Sequence, residues 1–252
     1  MNETIRTILD HRSIRSYLDK PLTDEQTAAI VQSAQAASTS SYVQAYTIIG
    51  IKDPVKKERL AELAGGQAYV AKNGHFFIFC LDLHRLELAA QLEGTLDSRT
   101  LQSLQSVETF MVGVVDASLA AQNAAIAAES MGLGVCYIGG IRNKLGRVTE
   151  LLQTPDRVIP LFGMSVGYPK NRSDKKPRLP MSHIYHEDVY KQSTEELRDE
   201  LHQYNRVISE YYAARTGGER KDRWTESMAK LLQNPKRLFM KALLGEKKLP
   251  LE

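Results

Sequence analysis

The sequence predicts an α+β protein, a small sheet wrapped by helices with a helical arm at its C-terminal end. Three observations carry this. Strand-like and helix-like segments are mixed along the chain without a regular β-α-β-α rhythm. The runs YTIIGIK (46–52), HFFIFCLDL (75–83) and VIPLFGMSVGY (158–168) are apolar enough to be buried strands. The segment VGVVDASLAAQNAAIAAESMGLG (112–134) is long, alanine-rich and nearly free of charge, which predicts a helix buried on most of its faces.

Each element follows from local signals. Ile5, Ile8 and Leu9 share one face, so residues 3–10 read as a short helix, and HRSIRSY (11–17) leaves it. Thr23 and Gln26 have the spacing of a capping box and open a helix whose apolar face is Ile30, Val31, Ala34 and Ala37. STSSYVQ (38–44) is a polar loop before the first strand, which Asp53 and Pro54 end. A helix over 55–63 stops at Gly65 and Gly66. Residues 84–108 read as polar, peripheral helix. VCYIGG (135–140) is short and extended, and Asn143 is placed to cap a helix over 144–153. KNRSDKKPRLP (170–180) is a basic loop. Ser193 and Glu196 form a second capping box for a helix over 193–215, and two shorter helices follow, divided near Asn234 and Pro235. The division expected is a core over 1–190 and an arm over 191–252.

Composition narrows the function classes. Of 252 residues, 42% are hydrophobic and 25% charged, so the chain can bury a real core. A net charge of +3 does not imply a nucleic-acid partner. Charge is uneven, however: from residue 215 onward ten lysines and arginines face five carboxylates, so attraction for anions concentrates in the arm. The arm has few interleaved aromatics, which weighs against a nucleic-acid binder. Cys80 and Cys136 lie far apart in apolar runs, as buried thiols of a reducing compartment do. The N-terminus lacks the apolar stretch of a secretory signal, and no apolar run approaches the ~20 residues of a bilayer span. A cytoplasmic protein is expected.

Two basic clusters stand out in the core, HRSIR (11–15) and KKPRLP (175–180). Pro177 holds its neighbours extended, which projects Lys176 and Arg178 in fixed directions. Folded together, the clusters would bind phosphate without a glycine-rich loop; apart, they are two solvated basic turns. Neither a Walker nor a Rossmann glycine pattern is present. The hydroxyls of Ser38, Thr39, Ser40 and Ser41 and the side chains of Gln67 and Tyr69 suit a flat heterocycle with many donors and acceptors, or else a solvated loop and a helix end. The glycines of YIGG remove Cβ atoms where a backbone could approach a ligand. No G-x-S-x-G is present, and neither cysteine has a histidine nearby in sequence. His183 and His186, three apart, read as a surface pair rather than metal ligands.

Taken in order, HRSIR, STSSYVQ, GGQAY, AAQNAAIAAESMGLG, YIGGIRN and KPRLP resemble the FMN-dependent nitroreductase superfamily. The branch is similar to the oxygen-insensitive NADPH nitroreductases and flavin reductase P enzymes. The resemblance spans essentially the whole chain. It implies a mixed, mainly antiparallel sheet, a homodimer with FMN between subunits, and NADPH as electron donor, with NADH weaker. It implies ping-pong chemistry in which a nicotinamide reduces the flavin and leaves, and a nitroaromatic, quinone or free flavin then takes its place. A non-enzymatic flavin carrier, or a supplier of reduced FMN to a partner monooxygenase, is the alternative.

Residue by residue, the resemblance assigns His11, Arg12, Ser13 and Arg15 to the FMN site, with His11 toward the phosphate and Arg15 at the pyrimidine edge. Lys176 and Arg178 complete the anion site. Gln67 and Tyr69 match ribityl-side and flavin-side positions, and Tyr137, Ile138, Gly139 and Gly140 match the segment whose backbone approaches flavin N5. Ser38, Thr39 and Ser40 match a loop contributed to the other subunit's flavin. Ser41, Tyr42 and Tyr69 fall on the substrate side. Arg215, Arg220 and Lys221 match basic positions near the NADPH 2′-phosphate. No metal is implied.

Overall fold

The computed structural model describes residues 1–250. The chain forms two compact units, one of Met1–Ser173 with the residues from Phe239 onward, the other Asp174–Leu238. The arm's last helix belongs to the first unit.

The first unit is built on four strands: β1 (Tyr46–Ile51), β2 (His75–Asp82), β3 (Gly134–Ile138) and β4 (Val158–Gly167). Their order is β1-β2-β4-β3 and every neighbouring pair is antiparallel. A single parallel bridge, Ser13 to Val135, extends the β3 edge. Pro160 sits in an inner strand, where it cannot donate a ladder hydrogen bond. The sheet accommodates it with a register shift: Phe79 faces Phe162 and Cys80 faces Pro160.

All eight residues of β2 are buried, which explains why its sequence shows no polar alternation. Phe77 and Phe79 point into one core with Ile30, Ala120, Ala124 and Ala128, whereas Phe76, Ile78 and Cys80 point into another with Leu60, Ala64, Leu145 and Val148. Each buried phenylalanine contributes about 1.5–3 kcal/mol. Helices therefore cover both faces of the sheet.

On the first face lie α1 (Glu3–Leu9), α2 (Asp24–Gln35) and, after α3 (Pro54–Leu63), α4 (Ala68–Ala71), α5 (His84–Leu92) and α6 (Ser98–Leu104) in chain order, the long α7 (Val107–Ser130). The Thr23–Gln26 capping box is present in full. Gly65 and Gly66, with φ of +97° and +75°, let the chain leave α3 in a left-handed turn. α7 begins five residues before the expected start, where Ser106 caps it through Thr109.

α7 corrects two expectations. Its alanine face is buried, but Val107, Met111, Val115 and Leu119 form an i, i+4 stripe that is 44–56% exposed. By length and composition the helix is also apolar enough to cross a membrane, which the sequence reading did not anticipate. Its alanines pack on α2 and β2.

The second face holds α3, α8 (Leu145–Leu152) and, once α9 (Thr194–Arg215) and α10 (Trp224–Gln233) have formed the second unit, α11 (Met240–Glu246). Asn143 does not cap α8. Lys144 holds the cap position, and the Asn143 amide donates to the Ala64 carbonyl at 3.2 Å. Met240, Leu243, Leu244 and Leu249 join the α3–α8 core, which is the reason the chain returns here.

His75 opens β2 with 5% exposure, and its buried Nε2 lies against Gly50 without a hydrogen-bond partner. Burial, then the charges of Lys57 and Lys52, lower its pKa to about 4. An unfolded histidine titrates near ~6.5, so the unfolded chain takes the proton first. Stability is therefore expected to fall as pH drops from about 6.5 to about 4, by on the order of 3 kcal/mol. Urea midpoints across that range should show a shallower slope in His75→Phe, whatever the change at neutral pH. An identical slope would refute the assignment.

Candidate functional site

The first basic cluster leaves α1 and runs along the open edge of β3. Ser13 pairs with Val135, and the Ile14 amide donates to the Val135 carbonyl at 2.9 Å. Strand-like alternation buries Ile14 and leaves Ser13 and Arg15 on the other side. Ser13 and Arg15 lie beside Cys136, and the Arg15 charge is felt by both the Cys136 thiol and the Tyr69 phenol. The Tyr69 hydroxyl donates to Gln67 Oε1 at 3.1 Å. The Tyr17 hydroxyl donates to the carbonyls of Ile14 (2.7 Å) and Ser165 (3.2 Å), closing the base of the group.

Burial raises the pKa of Tyr17, Tyr69 and Cys136, and the nearby Arg15 charge opposes it in each case without prevailing. The three groups are therefore protonated donors at neutral pH, and the cation is Arg15.

The strand end completes the cluster. A Cβ on Gly140 would lie 2.4 Å from the Ala64 carbonyl oxygen and 2.9 Å from Gln67 Nε2, so only glycine allows this approach. Ser13, Arg15, Gln67, Tyr69 and the Gly139–Gly140 backbone thus come together from three separate segments. Tyr137 and Ile138 turn their side chains inward: the Tyr137 hydroxyl donates to the Ala121 carbonyl at 2.8 Å, and Ile138 is 1% exposed.

His11 and Arg12 take other partners. His11 Nδ1 lies 2.7 Å from Glu129 Oε1. Arg12 grips Asp10 through its carboxylate (2.5 Å) and carbonyl (3.1 Å) and, with Arg6 and Arg172, lines a cavity of about 300 Å³. In the loop before β1, Ser38, Ser40, Ser41 and Tyr42 are exposed and Thr39 is half-buried. Ser41, Tyr42 and Gln44 hold φ of +47°, +58° and +53°.

The second unit carries the remaining cations. The Lys176 ammonium lies 5.3 Å from the Tyr212 ring centroid and the Arg220 guanidinium 4.5 Å from it, so the KPRLP loop meets the end of α9 on one aromatic ring. The Tyr204 hydroxyl donates to the Pro177 carbonyl at 3.0 Å, and the charges of Lys176 and Arg178 draw its pKa down against a larger upward effect of burial. Arg215 donates to the Tyr211 hydroxyl at 3.3 Å, Arg220 pairs with Asp222, and the Lys221 carbonyl accepts from Ser209. His183 lies 2.9 Å from Glu200, and His186 Nδ1 accepts from the Lys191 amide. Among the described residues no group of three histidines, cysteines or carboxylates could hold a metal ion.

Tyr17 and Cys136 were not singled out from the sequence as site residues. Cys136 could have been, since it immediately precedes the YIGG segment. Nothing local marks Tyr17, whose second partner, the Ser165 carbonyl, lies 148 residues away.

A cation and an amide beside a glycine strand end, on a four-stranded antiparallel sheet, suit a flavoprotein reductase, and the chain belongs to the nitroreductase family. The sequence pattern of that family matches residues 8–168, and that of the nitroreductase family C-terminal domain matches residues 176–252. The chain is 54% identical, over 98% of its length and 98% of the relative's, to an FMN reductase (NADPH) of Bacillus subtilis strain 168. The solved structure of B. megaterium NfrA1 superposes with a TM-score of 0.96 at 56% identity, covering 98% of this chain and 99% of that one. An NADPH:FMN oxidoreductase from Vibrio harveyi, solved with NAD+, gives 0.87 at 37% identity, covering 98% and 99%.

Proposed function

We propose that the protein is an FMN-containing, NADPH-dependent oxidoreductase that reduces nitroaromatics, quinones or free flavin as a cytoplasmic homodimer. The observation that carries this reading is the convergence of Ser13, Arg15, Gln67, Tyr69 and the Gly139–Gly140 backbone in a chain 54% identical to an FMN reductase (NADPH).

The donor set fits the group. Arg15 supplies a cation, Ser13, Tyr69 and Gln67 supply neutral donors, and Gly140 holds the backbone against Gln67. Bound there, FMN would supply two-electron redox chemistry between a nicotinamide donor and the acceptor. Arg15, assigned to the pyrimidine edge, would favour negative charge there. Tyr69 orients Gln67. Within the first unit His11 and Arg12 are the weaker members of the flavin assignment, because Glu129 and Asp10 already engage them.

Arg215, Arg220 and Lys221 are assigned to the NADPH 2′-phosphate, since paired guanidiniums are what distinguishes NADPH from NADH. Arg215→Ala is expected to raise KM for NADPH by about tenfold, the loss of one charge-assisted contact, and KM for NADH far less. Equal effects on both donors would remove the assignment.

Two exposed apolar faces support the dimer: the α7 stripe, and Ile5, Ile8 and Leu9 of α1 beside it. Light scattering that found an FMN-retaining monomer would contradict this part. The buried free thiols Cys80 and Cys136 support a reducing compartment. The test of the whole reading is an absorbance spectrum followed by one equivalent of NADPH without oxygen. Oxidised-flavin bands should be present and should bleach faster with NADPH than with NADH. A colourless protein that takes up no FMN would sink the reading.

A further inference from the structure

We propose that Asp116, in the middle of α7, is a positioning residue that sets the hydroxyl loop of residues 38–44 for the flavin; this rests on the loop assignment made above. Asp116 is fully buried, and it is the one charged residue in the 20 positions of α7 between Glu108 and Glu129. Its Oδ1 accepts from the Ser40 amide at 3.0 Å and its Oδ2 from the Ala45 amide at 2.9 Å. One carboxylate therefore bridges Ser40 and Ala45, clamping the span that directly follows Ser38 and Thr39.

The span between those amides is unusual backbone. Ser41, Tyr42 and Gln44 all lie in the left-handed region, which side-chain-bearing residues rarely adopt. Such a conformation persists only where its surroundings over-determine it. Asp116 holds both ends. Arg85 secures the exit, donating to the carbonyls of Gln44 and Tyr46. A buried carboxylate is costly unless its hydrogen bonds are charge-assisted, and here two backbone amides supply them. An alanine, the common residue of this helix face, would pack as well but would leave both amides unbonded.

Placement gives the contact its function. Asp116 directly follows Val115 of the exposed stripe, so the helix that presents the proposed dimer face also fixes the loop that carries Ser38, Thr39 and Ser40. The hydroxyls then meet the other subunit's flavin in one geometry and need not be ordered on binding.

Asp116→Asn keeps the shape and one acceptor but turns an NH2 toward one of the two amides. In apoprotein titrated with FMN, it is expected to weaken binding by about tenfold or more, the loss of a charge-assisted hydrogen bond. The Ser40 and Ala45 amides should also exchange faster with solvent. Asp116→Ser is the second variant if the first folds poorly. Val148→Ala, buried in the opposite core, is the control: a lower Tm with unchanged FMN affinity and unchanged exchange in the loop. If Asp116→Asn behaves as Val148→Ala does, Asp116 is a core residue only and the proposal fails. A Ser38→Ala, Thr39→Val, Ser40→Ala variant separates the two readings. If it binds FMN normally, the loop assignment falls and the proposal with it. If it binds weakly while Asp116→Asn binds normally, the proposal alone falls.

Discussion

Arg157→Ala is expected to destabilise the protein by about 3–5 kcal/mol, the cost of breaking a buried ion pair from one side. Arg157 is 1% exposed, and its Nε lies 3.1 Å from Glu87 Oε1, an ion pair without the alignment of a hydrogen bond. Its guanidinium donates to the Lys248 carbonyl at 2.6 Å, its amide to the Lys247 carbonyl at 2.8 Å, and its carbonyl accepts from the Leu83 amide. The side chain thus ties α5 to the returning C-terminal segment, while its backbone joins that segment to Leu83 just beyond β2. Truncation leaves the Glu87 carboxylate half of a pair and frees the Lys248 carbonyl. Replacing both charges, as in Arg157→Met with Glu87→Leu, should recover much of the loss, because no charge is then left unpaired. Urea midpoints of the single and double variants decide it. A single variant within about 1 kcal/mol of the parent, the size of an exposed pair, would show that the ion pair contributes little.

Arg15→Gln is expected to slow reduction of bound flavin by NADPH by about a hundredfold, the loss seen when one preorganised electrostatic donor is removed. Arg15 is the cation whose charge acts on the protonated Tyr17, Tyr69 and Cys136 together, and no other basic residue acts on all three. Glutamine keeps a donor of similar reach and removes the charge, so the variant should bind FMN but reduce it slowly. Stopped-flow bleaching under saturating NADPH isolates this step from donor binding. An unchanged rate with weakened FMN binding would make Arg15 a binding residue alone.

The local part of the architecture was legible in the sequence. Runs such as HFFIFCLDL end within a residue of β2, because a strand buried on both faces has no polar position to disguise it. The Thr23–Gln26 box and Gly65–Gly66 stop fall where they were read, since caps depend on backbone groups three or four residues away. The order of HRSIR, GGQAY, YIGGIRN and KPRLP carried the family.

What failed to show locally involved partners far along the chain. Asn143 has the chemistry of a cap, yet Ala64, 79 residues away, takes its amide. The arm's charge count gave no hint that Leu243 and Leu249 return to the core. α7 read as buried all round because alanine and valine look alike to a periodicity argument, whereas the fold covers its alanine face and leaves Val107, Met111, Val115 and Leu119 open.

The site divides in the same way. By itself the sequence determined which residue types were on offer: a cation at 15, an amide at 67 and a Cβ-free backbone at 139–140. Only the tertiary structure decided that Arg15 meets Cys136 and Tyr69, that Arg12 turns to Asp10, and that Lys176 and Arg220 share one tyrosine. Residue chemistry is a local property and survives in the order of letters. Partnership depends on which strand edge and which helix face the packed core brings within a few ångströms, and that is fixed only when the whole chain has folded.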